Sequence, residues 1–179
     1  MRIISGKHKG RRIIAPSKLP VRPTTDMAKE ALFNILNNSY YFDEIIVLDL
    51  FAGTGNISLE FGSRGSTQIT AVDGHVGCVQ FIEKTSKALE LDITAIKNDV
   101  FSYLEKNRQK SDIIFADPPY DMSLEDFQKI PEIVFKNELL LEGGVLIIEH
   151  AKKTDLSHLK NFSNKRKYGG NAFSFFELN

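Results

Sequence analysis

The chain has 179 residues, 42% apolar and 26% charged, which is the composition of one ordinary globular domain. Its 23 basic and 23 acidic residues sum to zero formal charge, and this balance argues against a uniformly basic nucleic-acid coat protein. The charge is uneven, however, because residues 1–22 hold seven bases and no acid while the remainder holds 16 bases and 23 acids. A basic arm on an acidic body indicates an anionic partner at one end.

Several classes of protein are excluded by simple patterns. No apolar run approaches the roughly 18–20 residues that span a bilayer, and the start turns basic before a secretory signal could form. The single cysteine, Cys78, fits a reducing compartment, and the four scattered histidines have no metal-ligand spacing. We therefore expect a cytoplasmic protein with no metal and no membrane segment, and nothing in the sequence demands more than a monomer.

The first 40 residues differ from the rest in charge and pattern. Two short β-prone runs, residues 2–5 and 11–15, flank Gly-Lys-His-Lys-Gly and predict a basic hairpin. The segment Arg22-Pro23-Thr24-Thr25-Asp26 then opens a helix, with a threonine as the N-cap and an acid in the first turn. We expect residues 1–40 to form an N-terminal extension packed on a main domain, residues 41–179.

From residue 45 onward, short apolar runs alternate with helical stretches. The predicted strands are 45–50, 68–73, 93–98, 112–116 and 144–149, and the predicted helices are 55–63, 75–90, 99–107, 123–140 and 153–160. Residues 162–178 read as a hairpin around Gly169-Gly170-Asn171. The pattern predicts an α/β fold, a Rossmann-like, open, doubly wound sheet that is mostly parallel and ends in an antiparallel hairpin. In such sheets, ligands bind beyond the carboxyl ends of the strands.

The loop after the first predicted strand is the first candidate ligand site. It runs Asp49-Leu50-Phe51-Ala52-Gly53-Thr54-Gly55-Asn56, and its two glycines let a ligand approach the backbone at the start of a helix. No Gly-Lys-Ser/Thr follows, so it is not a P-loop, and Ser58 replaces the third glycine of a dinucleotide fingerprint. The acid Asp49 suits a cationic group such as an α-amine. A tight turn without a ligand is the alternative.

Acidic residues also follow the second and third predicted strands. Asp73 stands 18 residues beyond Gly55, about the spacing at which an acid accepts both ribose hydroxyls. A solvated aspartate or a helix cap is the alternative. Asp99 can accept from an adenine amino group, but capping the next helix explains it equally well.

The sequence Asp117-Pro118-Pro119-Tyr120 follows the fourth predicted strand and is the most specific signal. The prolines remove backbone donors and hold the carbonyls in a fixed direction. A carboxylate, a rigid carbonyl and an aromatic ring fit a planar base with an exocyclic amine. The carboxylate and the Pro118 carbonyl would accept the two N–H bonds while the Tyr120 ring stacks on the base.

These motifs together resemble the class I S-adenosylmethionine-dependent methyltransferases, in the amino-methylating branch, and more closely the RsmD family. That family methylates a guanine N2 in small-subunit (16S) ribosomal RNA. The resemblance covers nearly the whole chain, and it is carried by Met1–Lys7, Arg22–Asp26, Leu48–Gly55, Asp117–Tyr120, Glu149-His150 and Tyr168-Gly169. The fold that this resemblance implies is the Rossmann-like sheet that the alternating strands and helices also predict.

The resemblance assigns roles to residues of this chain. It implies S-adenosylmethionine as cofactor, with the glycine loop at its methionine part, Asp73 at the ribose and Asp99 at the adenine. The implied cofactor-binding residues are Asp49, Ala52, Gly53, Thr54, Gly55, Asn56, Asp73, Gly74, Asp99 and Val100, with Asn56 interpreted as a helix cap. The implied catalytic residues are Asp117, Pro118, Pro119 and Tyr120. The expected RNA contacts are Arg2, Lys7, Lys9, Arg11, Arg12 and Arg22, on 16S ribosomal RNA that is either naked or within an assembling small subunit.

Three other functions compete with this interpretation. An amino methyltransferase for adenine N6 is disfavoured because the chain has no added target-recognition domain. A nicotinamide-linked oxidoreductase is disfavoured by Asp49 and by the Pro-Pro motif. A non-catalytic RNA-binding module is disfavoured because the acids and glycines of the pocket are intact.

Overall fold

The structure, a computed structural model, describes residues 1–21 and 24–178. Within these residues the chain forms five helices and seven strands. Their order is α1 (Asp26–Leu36), β1 (Ile46–Leu50), α2 (Asn56–Ser63), β2 (Gln68–Asp73), α3 (Val76–Ala88), β3 (Ile93–Lys97), α4 (Val100–Lys106), β4 (Ser111–Ala116), α5 (Leu124–Lys136), β5 (Leu140–Ala151), β6 (Phe162–Tyr168) and β7 (Asn171–Glu177).

The strands form one sheet in the order β3-β2-β1-β4-β5-β7-β6. The first five positions are parallel, and β7 inserts antiparallel between β5 and β6. The strand order reverses between β1 and β4, so the crevice for a ligand is expected beyond the carboxyl ends of these two strands. The predicted fold class is confirmed by this topology.

Apolar side chains cover the sheet on both faces. On one face, α1 and α2 pack on the sheet through residues such as Leu32, Phe33 and Phe61. On the other face, α4 and α5 pack through residues such as Leu104 and Ile130. Continuous apolar strands are expected when both faces are buried, which is why these segments do not alternate with polar residues.

The basic start of the chain forms a short irregular hairpin that is docked along α2. The two predicted β-prone runs lie antiparallel, with a bridge between Arg2 and Arg12 and backbone hydrogen bonds between Met1 and Ile13 in both directions. The buried Glu60 carboxylate accepts from the Ile4 and Ser5 amides at 2.9 and 3.1 Å. The prediction of a basic hairpin is therefore confirmed, although its pairing is too short and irregular to form named strands.

A buried ion pair joins this arm to two helices. The Lys29 ammonium of α1 lies 3.2 Å from the Glu60 carboxylate of α2, and both side chains are almost fully buried. The ammonium also donates to the Arg2 carbonyl at 2.6 Å. Burial lowers the pKa of Lys29, and the nearby Glu60 opposes that shift. Loss of one partner would leave a buried charge unpaired, which is strongly destabilising.

The predicted helix at residues 153–160 is wrong. The segment forms turns in which the Thr154 amide donates to the Ala151 carbonyl and the Ser157 amide donates to the Asp155 carboxylate. Short polar side chains that bond to the local backbone compete with a helix in this way. Leu156 is fully buried and anchors the turn in the core.

The other predicted helices and strands form, and they differ from prediction mainly in the residues at which they begin and end. The strand β5 spans Leu140–Ala151 rather than 144–149, and α5 ends at Lys136 rather than at 140. Over the described part of the chain, none of the helices combines the length and apolar character needed to cross a membrane.

Candidate active site

A cavity of about 690 Å³ opens at the carboxyl ends of β1, β2, β3 and β4. Its size is in the range of cavities that hold a small-molecule cofactor, about 300–1,000 Å³. All the residues predicted as cofactor-binding or catalytic line it except Gly55: Asp49, Ala52, Gly53, Thr54, Asn56, Asp73, Gly74, Asp99, Val100, Asp117, Pro118, Pro119 and Tyr120. The fold therefore gathers in one place side chains that lie far apart in the sequence.

The loop between β1 and α2 requires its glycines for two different reasons. Gly53 and Gly55 have φ of +55° and +75°, a left-handed conformation that favours glycine. An added Cβ on Gly55 would lie 2.8 Å from Cγ1 of Ile82, so this glycine lets α2 and α3 pack closely. Phe51, with φ of +56°, holds the same conformation without being a glycine. The loop thus carries backbone strain at the cavity wall.

The Asp49 carboxyl is buried beneath this loop. Its Oδ2 accepts from the Ser58 amide at 3.1 Å and from the Ser58 hydroxyl at 2.6 Å. The serine in place of a third glycine is thus a hydrogen-bond partner for the acid. Burial raises the pKa of Asp49 to about 7, although the bonds from Ser58 oppose the shift. A nearby cation would favour the ionised form.

The acid at the end of β2 organises the glycine loop as well as facing the cavity. Asp73 Oδ2 accepts from the Gly53 amide at 2.8 Å, and Oδ1 accepts from the His75 amide at 2.8 Å. Asp99 is the N-cap of α4, with Oδ1 accepting from the Ser102 amide at 2.9 Å. The capping role of Asp99 is confirmed, and its position on the cavity wall leaves the adenine contact open as a prediction.

Asn56 is not a helix cap, so that interpretation is wrong. Gly55 is the N-cap of α2, and the Asn56 side chain turns into the protein. Its Oδ1 accepts from the Lys29 ammonium at 2.8 Å, and its Nδ2 donates to the Thr24 carbonyl at 3.0 Å. Asn56 instead connects the glycine loop to the segment before α1.

The Asp-Pro-Pro-Tyr loop leads from β4 to α5 along the cavity rim. The Asp117 amide donates to the Leu50 carbonyl at 3.3 Å, which holds the acid beside the end of β1. The Met122 amide donates to the Pro119 carbonyl at 3.0 Å and closes the turn. The Tyr120 side chain is 50% exposed, and its hydroxyl donates to Asn171 Oδ1 at 3.1 Å.

A second buried acid lies next to Asp117. Glu149 of β5 is 2% exposed and accepts from the Thr24 hydroxyl at 2.6 Å and from Asn171 Nδ2 at 2.7 Å. Burial first, and then the charge of Glu149, raise the pKa of Asp117 well above its usual range. Burial also raises the pKa of Glu149, against the two hydrogen bonds. The sequence signal for Glu149 was only its place in the family resemblance, with no role attached.

A smaller cavity of about 110 Å³ adjoins the first one. Asp117, Pro118 and Tyr120 line both cavities and so form the wall between them. The remaining lining is mixed: Met122, Leu124, Phe127 and Ala151 are apolar, while Glu149, His150 and Thr154 are polar. The geometry places Asp117 between the two cavities and Glu149 on the wall of the small one.

Several cavity residues were missed by sequence reasoning. Leu19, Pro20, Val21 and Thr24, from the segment before α1, cover one side of the large cavity. Cys78 is buried on α3 and lines the cavity, and burial raises the pKa of its thiol to about 11. No local pattern could have located this segment, because it is brought to the sheet edge by packing alone. Among the residues with described positions, no cluster of three or more His, Cys, Asp or Glu side chains is arranged to bind a metal ion.

The predicted RNA-binding cations occupy two different places. Arg2 pairs with Asp26 at 3.3 Å and lies beside exposed Arg12, near the start of α1. The Lys7 amide donates to the carbonyl of Ser63 at 2.7 Å, at the end of α2 that points away from the large cavity. The Lys7 ammonium pairs with a surface glutamate, and Lys9 and Arg11 are exposed on the same loop, whereas Arg22 lies outside the described residues.

Known proteins match this chain over most of its length. The family model described as "Conserved hypothetical protein 95" matches residues 1–177. The "Putative rRNA methyltransferase YlbH" of Bacillus subtilis is 34% identical over 87% of this chain and 85% of its own length. "Ribosomal RNA small subunit methyltransferase D" of Buchnera aphidicola from Acyrthosiphon pisum is 32% identical over 92% of this chain and 85% of its own length.

A solved structure has the same fold as this chain. A hypothetical protein of a Thermus species superposes with a TM-score of 0.86 at 25% identity, covering 99% of both chains. The match spans the arm, the glycine loop and the final hairpin together. The chain therefore belongs to the Conserved hypothetical protein 95 family, the RsmD family of methyltransferases.

Proposed function

We propose that this chain is an S-adenosylmethionine-dependent methyltransferase that methylates the exocyclic N2 amine of a guanine in 16S ribosomal RNA. Family membership supports the reaction class, and relatives are named as rRNA methyltransferases. The observation that carries the proposal is the position of Asp117-Pro118-Pro119-Tyr120 between a cofactor-sized cavity and a second, smaller one.

The large cavity fits the cofactor in size and in charge. S-adenosylmethionine is the methyl donor, and its sulfonium makes the methyl group strongly electrophilic. Asp49 would hold the cationic α-amine, because a buried carboxyl with a raised pKa is stabilised by a cation. Asp73 would accept the ribose hydroxyls, and Asp99 the adenine amine, with Val100 against the ring. Ala52, Gly53, Thr54, Gly74 and Asn56 complete the wall.

Asp117 and Pro118 would hold the target amine. The carboxylate and the Pro118 carbonyl accept hydrogen bonds from its two N–H groups. These two bonds draw the nitrogen lone pair out of ring conjugation and towards the methyl group. Tyr120 stacks on the base, with Pro119 stiffening the loop. Asp117 stabilises the positive charge that develops on nitrogen, and its raised pKa suits it to receive the departing proton. The target guanine must be exposed or flipped out to reach this loop.

Residues 1–40 would form the RNA-binding extension. Arg2 and Arg12 lie near the start of α1, which places them on the cavity side of the arm, whereas Lys7, Lys9 and Arg11 extend to the far end of α2. Exposed ion pairs of the kind that Arg2 and Lys7 make are worth at most about 1 kcal/mol, so both cations can exchange to phosphate. The arm then follows RNA backbone away from the target base. The enzyme would work as a cytoplasmic monomer, without a metal ion.

The test is methylation of defined RNA followed by nucleoside analysis. Naked 16S rRNA and small-subunit particles are incubated separately with methyl-labelled cofactor. We expect N2-methylguanosine, with particles the better substrate if the base is presented only there. N6-methyladenosine, or no product from either substrate, would overturn the proposal.

The role of Asp117 is tested with a matched pair of variants. Asp117→Ala should retain cofactor binding but lose roughly 10²–10³ in transfer rate, as for loss of one preorganised group at a developing charge. Asp121→Ala removes an exposed acid four residues away and should react as the wild type does. Normal single-turnover methylation by Asp117→Ala would contradict the assignment.

A further inference from the structure

The Asn171 side chain bridges two residues of the transfer site. Its Nδ2 donates to Glu149 Oε1 at 2.7 Å, and its Oδ1 accepts from the Tyr120 hydroxyl at 3.1 Å. The amide has one productive orientation while Glu149 is ionised, because a carboxylate accepts and does not donate. The amide thus couples the position of the stacking ring to the position of the carboxylate.

The backbone of Asn171 is held firmly from both sides. It is the first residue of β7 and pairs with Ala151 of β5 and with Tyr168 of β6. The preceding Gly170 carbonyl accepts from the Lys152 amide at 2.9 Å. The hairpin turn is therefore a rigid support, and the short asparagine side chain transmits that rigidity to its two partners.

Glu149 is the fixed end of the bridge. It lies inside β5, is buried, and receives a second hydrogen bond at 2.6 Å from the Thr24 hydroxyl. Tyr120 is the adjustable end, because its ring is half exposed and sits on an irregular loop. An exposed aromatic ring samples several positions unless a partner restrains it. The bridge from Asn171 supplies one such restraint.

We propose that Asn171 is a positioning residue for methyl transfer, which holds the Tyr120 ring over the target base by tying its hydroxyl to Glu149. This inference rests on the proposed function, since it assigns a role within the same site. Asn171 touches neither the cofactor cavity nor the reacting amine in this arrangement, so it acts through Tyr120. Misplacement of reacting groups by about 1 Å costs up to roughly 10²-fold in rate.

The first test compares Asn171→Ala with a matched control. We expect transfer of the methyl group to slow by roughly 10- to 100-fold, while the dissociation constant for S-adenosylmethionine stays within about twofold of wild type. Asn164→Ala removes an exposed asparagine from the same hairpin and should leave both values unchanged. A wild-type transfer rate in Asn171→Ala, with active wild-type enzyme, overturns the inference but not the proposed function. Inactive wild-type enzyme on every RNA overturns the proposed function instead.

The second test asks whether Asn171 acts through the tyrosine hydroxyl. Tyr120→Phe removes only that hydroxyl, so the double variant should be no slower than the slower single variant. Multiplied losses would show independent roles and overturn the inference.

A third measurement reports ring position without catalysis. The chain has five tyrosines, and in fluorotyrosine-labelled protein the ¹⁹F signal of residue 120 is assigned by its absence in Tyr120→Phe. Asn171→Ala should shift or narrow that signal in the protein alone, whereas Asn164→Ala should not. An unchanged signal in Asn171→Ala overturns the inference.

Discussion

The buried carboxyl of Asp49 makes the stability of the ligand-free protein depend on pH in a defined direction. Burial raises the pKa of this group to about 7, whereas an aspartate in the unfolded chain titrates near 3.9. As the pH rises, the unfolded chain loses this proton first, so folding becomes less favourable between these two values. The slope is about 1.4 kcal/mol per pH unit, which gives about 2 kcal/mol between roughly pH 5 and pH 6.5.

The perturbation is Asp49→Asn, which has no proton to lose and retains an oxygen that can accept from Ser58. The free energy of unfolding is measured with urea at both pH values for wild type and variant. Wild type should lose about 2 kcal/mol more than the variant over this interval. The comparison within the pair cancels the contribution of groups that titrate alike in both proteins. Asp117 is not one of them, because the charge of Asp49 helps to raise the pKa of Asp117.

Two outcomes decide whether the reasoning holds. An equal pH dependence in wild type and Asp49→Asn would refute it, because Asp49 would then already be ionised in the folded protein. Ser58→Ala removes a hydroxyl bond that favours the ionised carboxylate, so it should extend the loss of stability to higher pH. Saturating S-adenosylmethionine should lower the pKa of Asp49 and flatten the profile if its α-amine lies there.

Three further predictions concern other parts of the molecule. Gly6→Ala should destabilise the protein by roughly 1–3 kcal/mol more than Gly10→Ala in urea unfolding. The two glycines have nearly the same φ, +82° and +81°, but only a Cβ on Gly6 would meet backbone, 1.8 Å from the Ser63 carbonyl oxygen. Equal losses would exclude the steric argument. Glu60→Gln should cost about 3–5 kcal/mol because it leaves a lysine buried and unpaired, whereas Glu90→Gln, at an exposed pair, should cost under about 1 kcal/mol; similar values in unfolding experiments would contradict this. Cys78 should react slowly with iodoacetamide near neutral pH because burial raises its pKa to about 11, and S-adenosylmethionine should slow it further; alkylation unaffected by the cofactor would place the ligand elsewhere.

The strand and helix order was predictable from the sequence because it depends on short-range patterns. Continuous apolar runs identified the buried parallel strands, and the threonine predicted to cap the first helix is confirmed as Thr25. The segment 153–160 was mispredicted because its Asp155 and Ser157 bond to the local backbone, an effect that a periodicity argument does not weigh. Asn56 was wrongly predicted to be a helix cap because its hydrogen-bond partners, Lys29 and Thr24, are distant in the sequence.

By itself the sequence determined the fold class, the ends of the strands that carry the site, and the Asp-Pro-Pro-Tyr loop. These features follow from residue type at spacings of a few positions, together with the rule that parallel strands present their carboxyl ends at one edge. Only the tertiary structure decided that Glu149 stands beside Asp117, that Asn171 reaches Tyr120, and that the tip of the basic arm lies at the far end of α2 from the large cavity. Such contacts join residues tens of positions apart, and they depend on strand order and helix packing, which no local pattern encodes.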